Sequence, residues 1–110
     1  MKYEFYGMTF DLEFMKATYA CNNGLAIQAI YFDEEMNAYD SFATVTVCLN
    51  HPFEEGNKAF VDVNNSAGLV SLLTRKGCIK PTGYVQRSGY VEYPLYEFKQ
   101  EWLDSLKEMY

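Results

Sequence analysis

Residues 10–14 read Phe-Asp-Leu-Glu-Phe, apolar and charged in strict alternation. Successive side chains of a β-strand point to opposite faces, so Phe10, Leu12 and Phe14 are expected inward while Asp11 and Glu13 meet water. A sheet with one wet face is typical of antiparallel pairing, because parallel sheets are covered on both sides. An antiparallel sheet with an apolar layer against one face is therefore the frame into which the other segments must fit.

Lys2 to Tyr6 reads as a short strand that Gly7 interrupts. Asn22-Asn23-Gly24 supplies residues tolerant of φ > 0, as a tight hairpin needs, and Leu25 to Phe32 is the returning strand. A polar stretch from Asp33 to Asp40 is expected as an exposed loop. Ser41 to Leu49 consists almost wholly of β-formers, and its apolar character on both faces predicts a central strand. Asn50 to Lys58 reads as loop and Ala59 to Val63 as a fourth strand. Asn64-Asn65-Ser66 then offers a helix N-cap, Leu69, Val70, Leu72 and Leu73 an apolar face, and Arg75, Lys76 and Gly77 a stop, so a helix is predicted near 66–76. Pro81, Gly83 and Gly89 predict a loop over Lys80 to Tyr90 with a short strand at Tyr84 to Gln86. Tyr90 to Phe98 is the next strand, with Pro94 marking an edge or a bulge. The spacing of Phe98, Trp102, Leu106 and Met109 predicts a C-terminal helix near 99–109. The expected fold class is α+β: a mainly antiparallel sheet of about five to six strands with two helices.

The chain has 110 residues, 49% of them hydrophobic, enough for one core and a single domain over 1–110. No run of about 18 apolar residues could span a bilayer, and the start MKYEFYGMTF lacks the pattern of a secretory leader, so the expectation is a cytoplasmic chain without membrane contact. Cys21, Cys48 and Cys78 are widely spaced and odd in number, which predicts reduced thiols, with Cys48 a small buried hydrophobe.

Candidate chemistry is sparse. His51 is the single histidine and has no Cys, Asp or Glu at ligand spacing, so no metal set is predicted, and neither catalytic residue nor cofactor is assigned. Asp33-Glu34-Glu35 and Glu54-Glu55 read as solvated loop charge. The formal charge of −6 argues against general nucleic-acid binding, which draws on many Lys and Arg. Charge is nonetheless segregated: from Asn64 to Tyr90 there is no acidic residue, while Arg75, Lys76, Lys80 and Arg87 give that segment +4. Helix capping and charge balance account for these cations in the simplest way. The sharper reading is a binding surface of Asn64, Asn65, Lys80, Thr82, Tyr84, Arg87, Ser88 and Tyr90, where turn-forming, hydrogen-bonding and aromatic side chains concentrate.

The segments YGMTFDLEF, AFVDVNN and PTGYVQRSGYVEYPLYEF together resemble an uncharacterised family of small proteins encoded in gut bacteria, often on conjugative elements and phages. Asp62, Asn64, Asn65, Thr82, Gly83, Ser88, Gly89, Tyr93, Pro94, Leu95, Tyr96 and Phe98 carry the match, and Ser66-Ala67 departs from it where the family has a Pro-Trp pair. The resemblance implies a bacterial accessory protein and supplies no catalytic residue. The expectation is a non-enzymatic interaction protein of a mobile element with an unidentified protein partner. The alternatives are a small enzyme holding its substrate against Asp62, Asn64, Asn65 and Arg87 with Cys78 or His51 as the reacting group, an anionic-ligand or nucleic-acid binder using 75–90, with single-stranded nucleic acid on Tyr84, Arg87 and Tyr90, and an acidic DNA mimic.

Overall fold

The computed structural model describes residues 1–19, 24–49 and 56–109. Ten strand segments and two helices follow one another as β1 (Lys2–Phe5), β2 (Met8–Asp11), β3 (Glu13–Thr18), β4 (Leu25–Asp33), β5 (Ala38–Thr44), β6 (Thr46–Val47), β7 (Lys58–Val61), α1 (Ala67–Arg75), β8 (Ile79–Ser88), β9 (Val91–Phe98), α2 (Gln100–Ser105) and β10 (Lys107–Glu108). They form a β1–β2 hairpin and two four-stranded sheets, ordered β10-β3-β4-β5 and β6-β7-β9-β8. All pairs are antiparallel except β10 with β3, so the α+β class with antiparallel sheets holds.

The alternation at 10–14 is real, but the chain changes partners within it. Phe10 ends in the β1–β2 hairpin, Glu13 begins β3, and Leu12 between them gives its N–H to the Met1 carbonyl at 2.8 Å. Leu12 and Phe14 are buried, while Phe10 is half-buried and packs its ring on Tyr31 and Phe42, clamping the hairpin to the first sheet. The main core joins both sheets and both helices: Ile27, Ala29, Val45, Val61, Leu69, Leu73, Ile79, Phe98 and Leu103 belong to one buried cluster. Burying each such side chain fully is worth roughly 1.5–3 kcal/mol, which is why α1 forms on Leu69, Val70, Leu72 and Leu73 without any side-chain N-cap bond. Ser66 sits at the cap position but gives its hydroxyl to the Thr44 carbonyl at 3.0 Å.

Several expectations are corrected. The predicted central strand over Ser41–Leu49 is two edge segments, β5 of one sheet and β6 of the other, with Val45 as the corner. Val45 donates its N–H to Ile27 of the first sheet at 2.9 Å and accepts from Asp62 N–H beyond β7 at 2.8 Å, so apolar contact on both faces reflects a crossing between sheets. The loop expected over Asp33–Asp40 shrinks to a turn: Asp33 Oδ1 takes the Glu35 and Met36 N–H groups and Asn37 adopts φ 52°. The loop expected over Lys80–Tyr90 is mostly the ten-residue strand β8. The C-terminal helix stops at Ser105, because Lys16 Nζ caps the Leu103 carbonyl at 2.8 Å and the following chain, extended at Leu106, adds to the free edge of β3.

Cys78 is a free thiol as expected, and buried, but Cys48 is half-buried and disulfide-bonded rather than reduced. The expectations placed on Cys21, Asn22, Asn23, His51 and Glu54-Glu55 lie outside the described residues.

Candidate functional site

Six of the eight candidate residues come together on one hairpin. Lys80, Thr82, Tyr84, Arg87 and Ser88 lie on β8, and Tyr90 is fully exposed in the turn to β9, where Gly89 takes φ 63°. Asn64 and Asn65 do not join them. They form the turn before α1, where Asp62 Oδ1 accepts both backbone N–H groups at 3.2 and 3.1 Å and Oδ2 accepts the Asn65 amide at 3.1 Å. That arrangement is an Asx-type turn, with Asp62 held by its neighbours instead of aimed at a substrate.

The hairpin owes its shape to two prolines and a bulge. Phe98 N–H donates to the Asn57 carbonyl at 2.7 Å, toward β7, and Lys99 N–H donates to the Cys78 carbonyl at 2.9 Å, toward β8. Antiparallel ladders alternate in this respect, so along β9 residues 98, 96, 94 and 92 turn their polar backbone groups toward β7 and the odd-numbered residues toward β8. Pro94, which has no N–H to give, therefore falls where a bond to β7 would be, and the β7 register ends at Phe60 opposite Leu95. On β8, the residues opposite the even positions present their own backbone groups to the open edge: Pro81 opposite Tyr96, Val85 opposite Pro94 and Arg87 opposite Glu92. Pro81 lacks the outward N–H, and Val85 and Arg87 have it.

Between Pro81 and Val85 the register slips, since three residues of β8 oppose Leu95 alone. Gly83 takes φ 91°, which an L side chain rarely adopts, and the Thr82 hydroxyl repairs the ladder. It donates to the Leu95 carbonyl at 2.8 Å and accepts the Tyr84 N–H at 3.2 Å. Thr82 and Gly83, read from sequence as parts of a binding loop, thus build the strand that displays their neighbours.

The electrostatics of the hairpin are milder than the sequence suggests. Lys80 Nζ lies 3.1 Å from Glu97 Oε2, directly across the ladder, and Arg87 sits opposite Glu92. Exposed pairs of this kind contribute about 0–1 kcal/mol. Arg75 lies in the last turn of α1 and Lys76 is its C-cap, where cations complement the helix dipole. The cavity beside Cys78, about 380 Å³, is lined by Thr74, Gly77, Ile79, Lys80, Glu97 and Lys99, and takes in none of Asn64, Asn65 or Arg87. Burial pushes the Cys78 thiol above its ordinary range, against the pull of Lys76 and Lys99. Such a thiol is a poor nucleophile. The described residues hold no group of three potential metal ligands.

Sequence reasoning missed two features. Val85 was read only as the middle of a short strand, although its exposure of 47% and outward backbone make it the centre of the open edge. A cavity of about 520 Å³ away from the hairpin, bordered by Leu12, Phe14, Ile30 and Leu106, carries Glu13 and Tyr39 on its wall, and the nearby Glu13 carboxylate pushes the Tyr39 hydroxyl upward. Glu13 and Tyr39 are far apart in sequence and meet through β3, β4 and β5, so no local motif announces them.

No helix among the described residues is long and apolar enough to cross a membrane. Comparison with curated proteins and with solved structures returns no match. A family model described as a domain of unknown function, DUF4313, matches residues 12–109. The match takes in both four-stranded sheets and both helices and leaves out the β1–β2 hairpin, in keeping with the expected uncharacterised family of small proteins. By that coverage, nearly the whole length of the fold, the chain belongs to the family of domains of unknown function DUF4313.

Proposed function

We propose that the chain is a non-enzymatic interaction protein of a bacterial mobile element and that it meets a protein partner along the β8–β9 hairpin. The observation that supports this most is the edge position of β8, a ten-residue strand with Tyr84 and Val85 substantially exposed and Tyr90 fully so. Natural edge strands are normally short, charged or covered, because unpaired backbone groups template association. Aromatic and arginine side chains on such a surface are the types that dominate protein recognition. The test is affinity capture from host lysate with wild type and with Arg87→Ala plus Tyr90→Ala. Loss of a specific, nuclease-resistant partner in the double variant supports the placement, and an unchanged set of partners rejects it.

The mobile-element setting follows from the family resemblance alone, and mapping the genes that flank the coding sequence in its source genome tests it. Cytoplasmic placement stands against the disulfide at Cys48, since structural disulfides persist mainly in oxidising compartments. Alkylation of protein taken directly from its host separates the two: a labelled Cys48 means a reducing compartment, and a protected Cys48 an oxidising one.

A further inference from the structure

We infer that the partner docks by adding a strand to the open edge of β8 at Val85 and Arg87, and that the added strand is an extended peptide bearing acidic side chains. This rests on the hairpin being an interaction surface and names what that surface takes.

The backbone sets the place. By the alternation of the ladder, Val85 and Arg87 stand at the two positions of the outer half of β8 whose N–H and C=O groups point away from β9, and no turn, loop or side-chain bond among the described residues takes either N–H. The Arg87 carbonyl accepts the Gln86 amide of the adjacent residue, at 3.3 Å and exposed to solvent, which an incoming N–H can displace. Below this point the edge is blunted: Pro81 has no N–H and the Thr82–Gly83 bulge turns the strand. An added strand can therefore pair from Val85 toward Ser88 and no further down, which fixes its register. Main-chain bonds of this kind supply affinity in strand addition, and alternate side chains supply specificity.

The side chains set the chemistry. Val85 and Arg87 are two residues apart and so share a face. A partner strand presents an apolar residue beside Val85 and a carboxylate beside Arg87 on that face. From Asn64 to Tyr90 no acidic residue occurs, so nothing on β8 itself repels such a carboxylate. The same charge argues against a second copy pairing β8 to β8, since pairing confined to Val85–Ser88 would bring the two Arg87 side chains close to each other.

The probe is the peptide Thr-Glu-Thr-Val-Thr-Glu-Thr, blocked at both ends, titrated into the ¹⁵N-labelled full chain, with a Lys-for-Glu version as control. Shifts centred on the Val85 and Arg87 amides are expected, with the Glu peptide preferred. Val85→Pro removes an N–H that no ladder bond uses and should weaken binding by about tenfold, roughly the worth of one well-made hydrogen bond. Arg87→Glu should invert the preference between the two peptides, and it carries the test alone if Val85→Pro fails to fold. Shifts spread over Arg75, Lys76 and Lys80 with unchanged affinity in Val85→Pro would overturn strand addition in favour of diffuse charge attraction. Concentration-dependent shifts at Val85 without peptide would overturn it in favour of a second copy. In lysate capture, a partner held equally by wild type and Val85→Pro rejects strand addition and keeps the interaction reading. Capture of nothing by either chain rejects the interaction reading itself.

Discussion

Two threonines do the same job in two places. At the corner between the sheets, Thr46 Oγ1 accepts the Ile27 N–H at 3.1 Å and bonds the Tyr19 hydroxyl at 2.9 Å. At the β8 bulge, Thr82 Oγ1 bonds the Leu95 carbonyl and the Tyr84 N–H. In each case an irregularity in a strand leaves a backbone group without its ladder partner, and a hydroxyl, able to donate and accept, takes the vacant place. The surroundings differ. Thr46 is 3% exposed and Ile27 fully buried, so water cannot replace the hydroxyl; Thr82 lies on an open edge where water can. The first hydroxyl holds the fold together and the second shapes a surface, which is the distinction the following substitutions test.

Thr46→Val keeps the shape and deletes the hydroxyl. It leaves a buried N–H at Ile27 unsatisfied and strands the Tyr19 hydroxyl, and the expected loss is about 2–3 kcal/mol in urea unfolding with an unchanged slope. Gly83→Ala comes next. No atom lies within 4 Å of the place a Cβ would occupy, so the cost is wholly the φ of 91°, about 1–2 kcal/mol, and it should also shift the amide resonances of the open edge. Thr82→Val should cost no more than about 0.5–1 kcal/mol because solvent takes over, while weakening any partner bound at Val85. If Thr82→Val proves as costly as Thr46→Val, the bulge is a fold element and the contrast between corner and edge collapses.

The two threonines also show what the residues give away and what they hide. Strand content, the helix at 67–75 and the inward set Leu12, Phe14, Leu69 and Leu73 follow from local periodicity and were legible. The corner was not, because Phe42 to Val47 has uniform β character and nothing in it marks that Val45 belongs to two sheets at once; that depends on Ile27 and Asp62 lying across from it. The edge strand was hidden by its own punctuation. Pro81 and Gly83 read as breakers, yet Pro81 faces the side where no N–H is needed and Gly83 makes a bulge, so both are compatible with a strand. The C-terminal helix was overextended since its spacing continues through Leu106, while the capping lysine, Lys16, is 87 positions away from Leu103. Six of the eight residues singled out from sequence thus lie on one hairpin, and the edge geometry that displays them was not legible.

The smallest expected effect concerns the other half of the corner pair. Burial pushes the Tyr19 hydroxyl above its ordinary value of 10.0, with the bond to Thr46 pulling it down and the nearby Asp62 adding to the rise. The folded chain therefore keeps its proton at a pH where the unfolded chain has lost it. Below about pH 10 both states are protonated and Tyr19 contributes no pH dependence; as the pH rises through that value the unfolded state gains, and stability falls until the folded group also titrates. Comparison with Tyr19→Phe isolates the term, since the other tyrosines are common to both chains. The stability difference between wild type and Tyr19→Phe should be flat from pH 7 to 9 and then move against wild type on the alkaline side, in urea titrations at fixed salt. A Thr46→Val background sharpens the test: without the hydroxyl that lowers the folded value, the alkaline decline should persist to higher pH. A decline that is absent, or that runs in favour of wild type, would mean that Tyr19 is open to water and that the corner is less closed than its threonine requires.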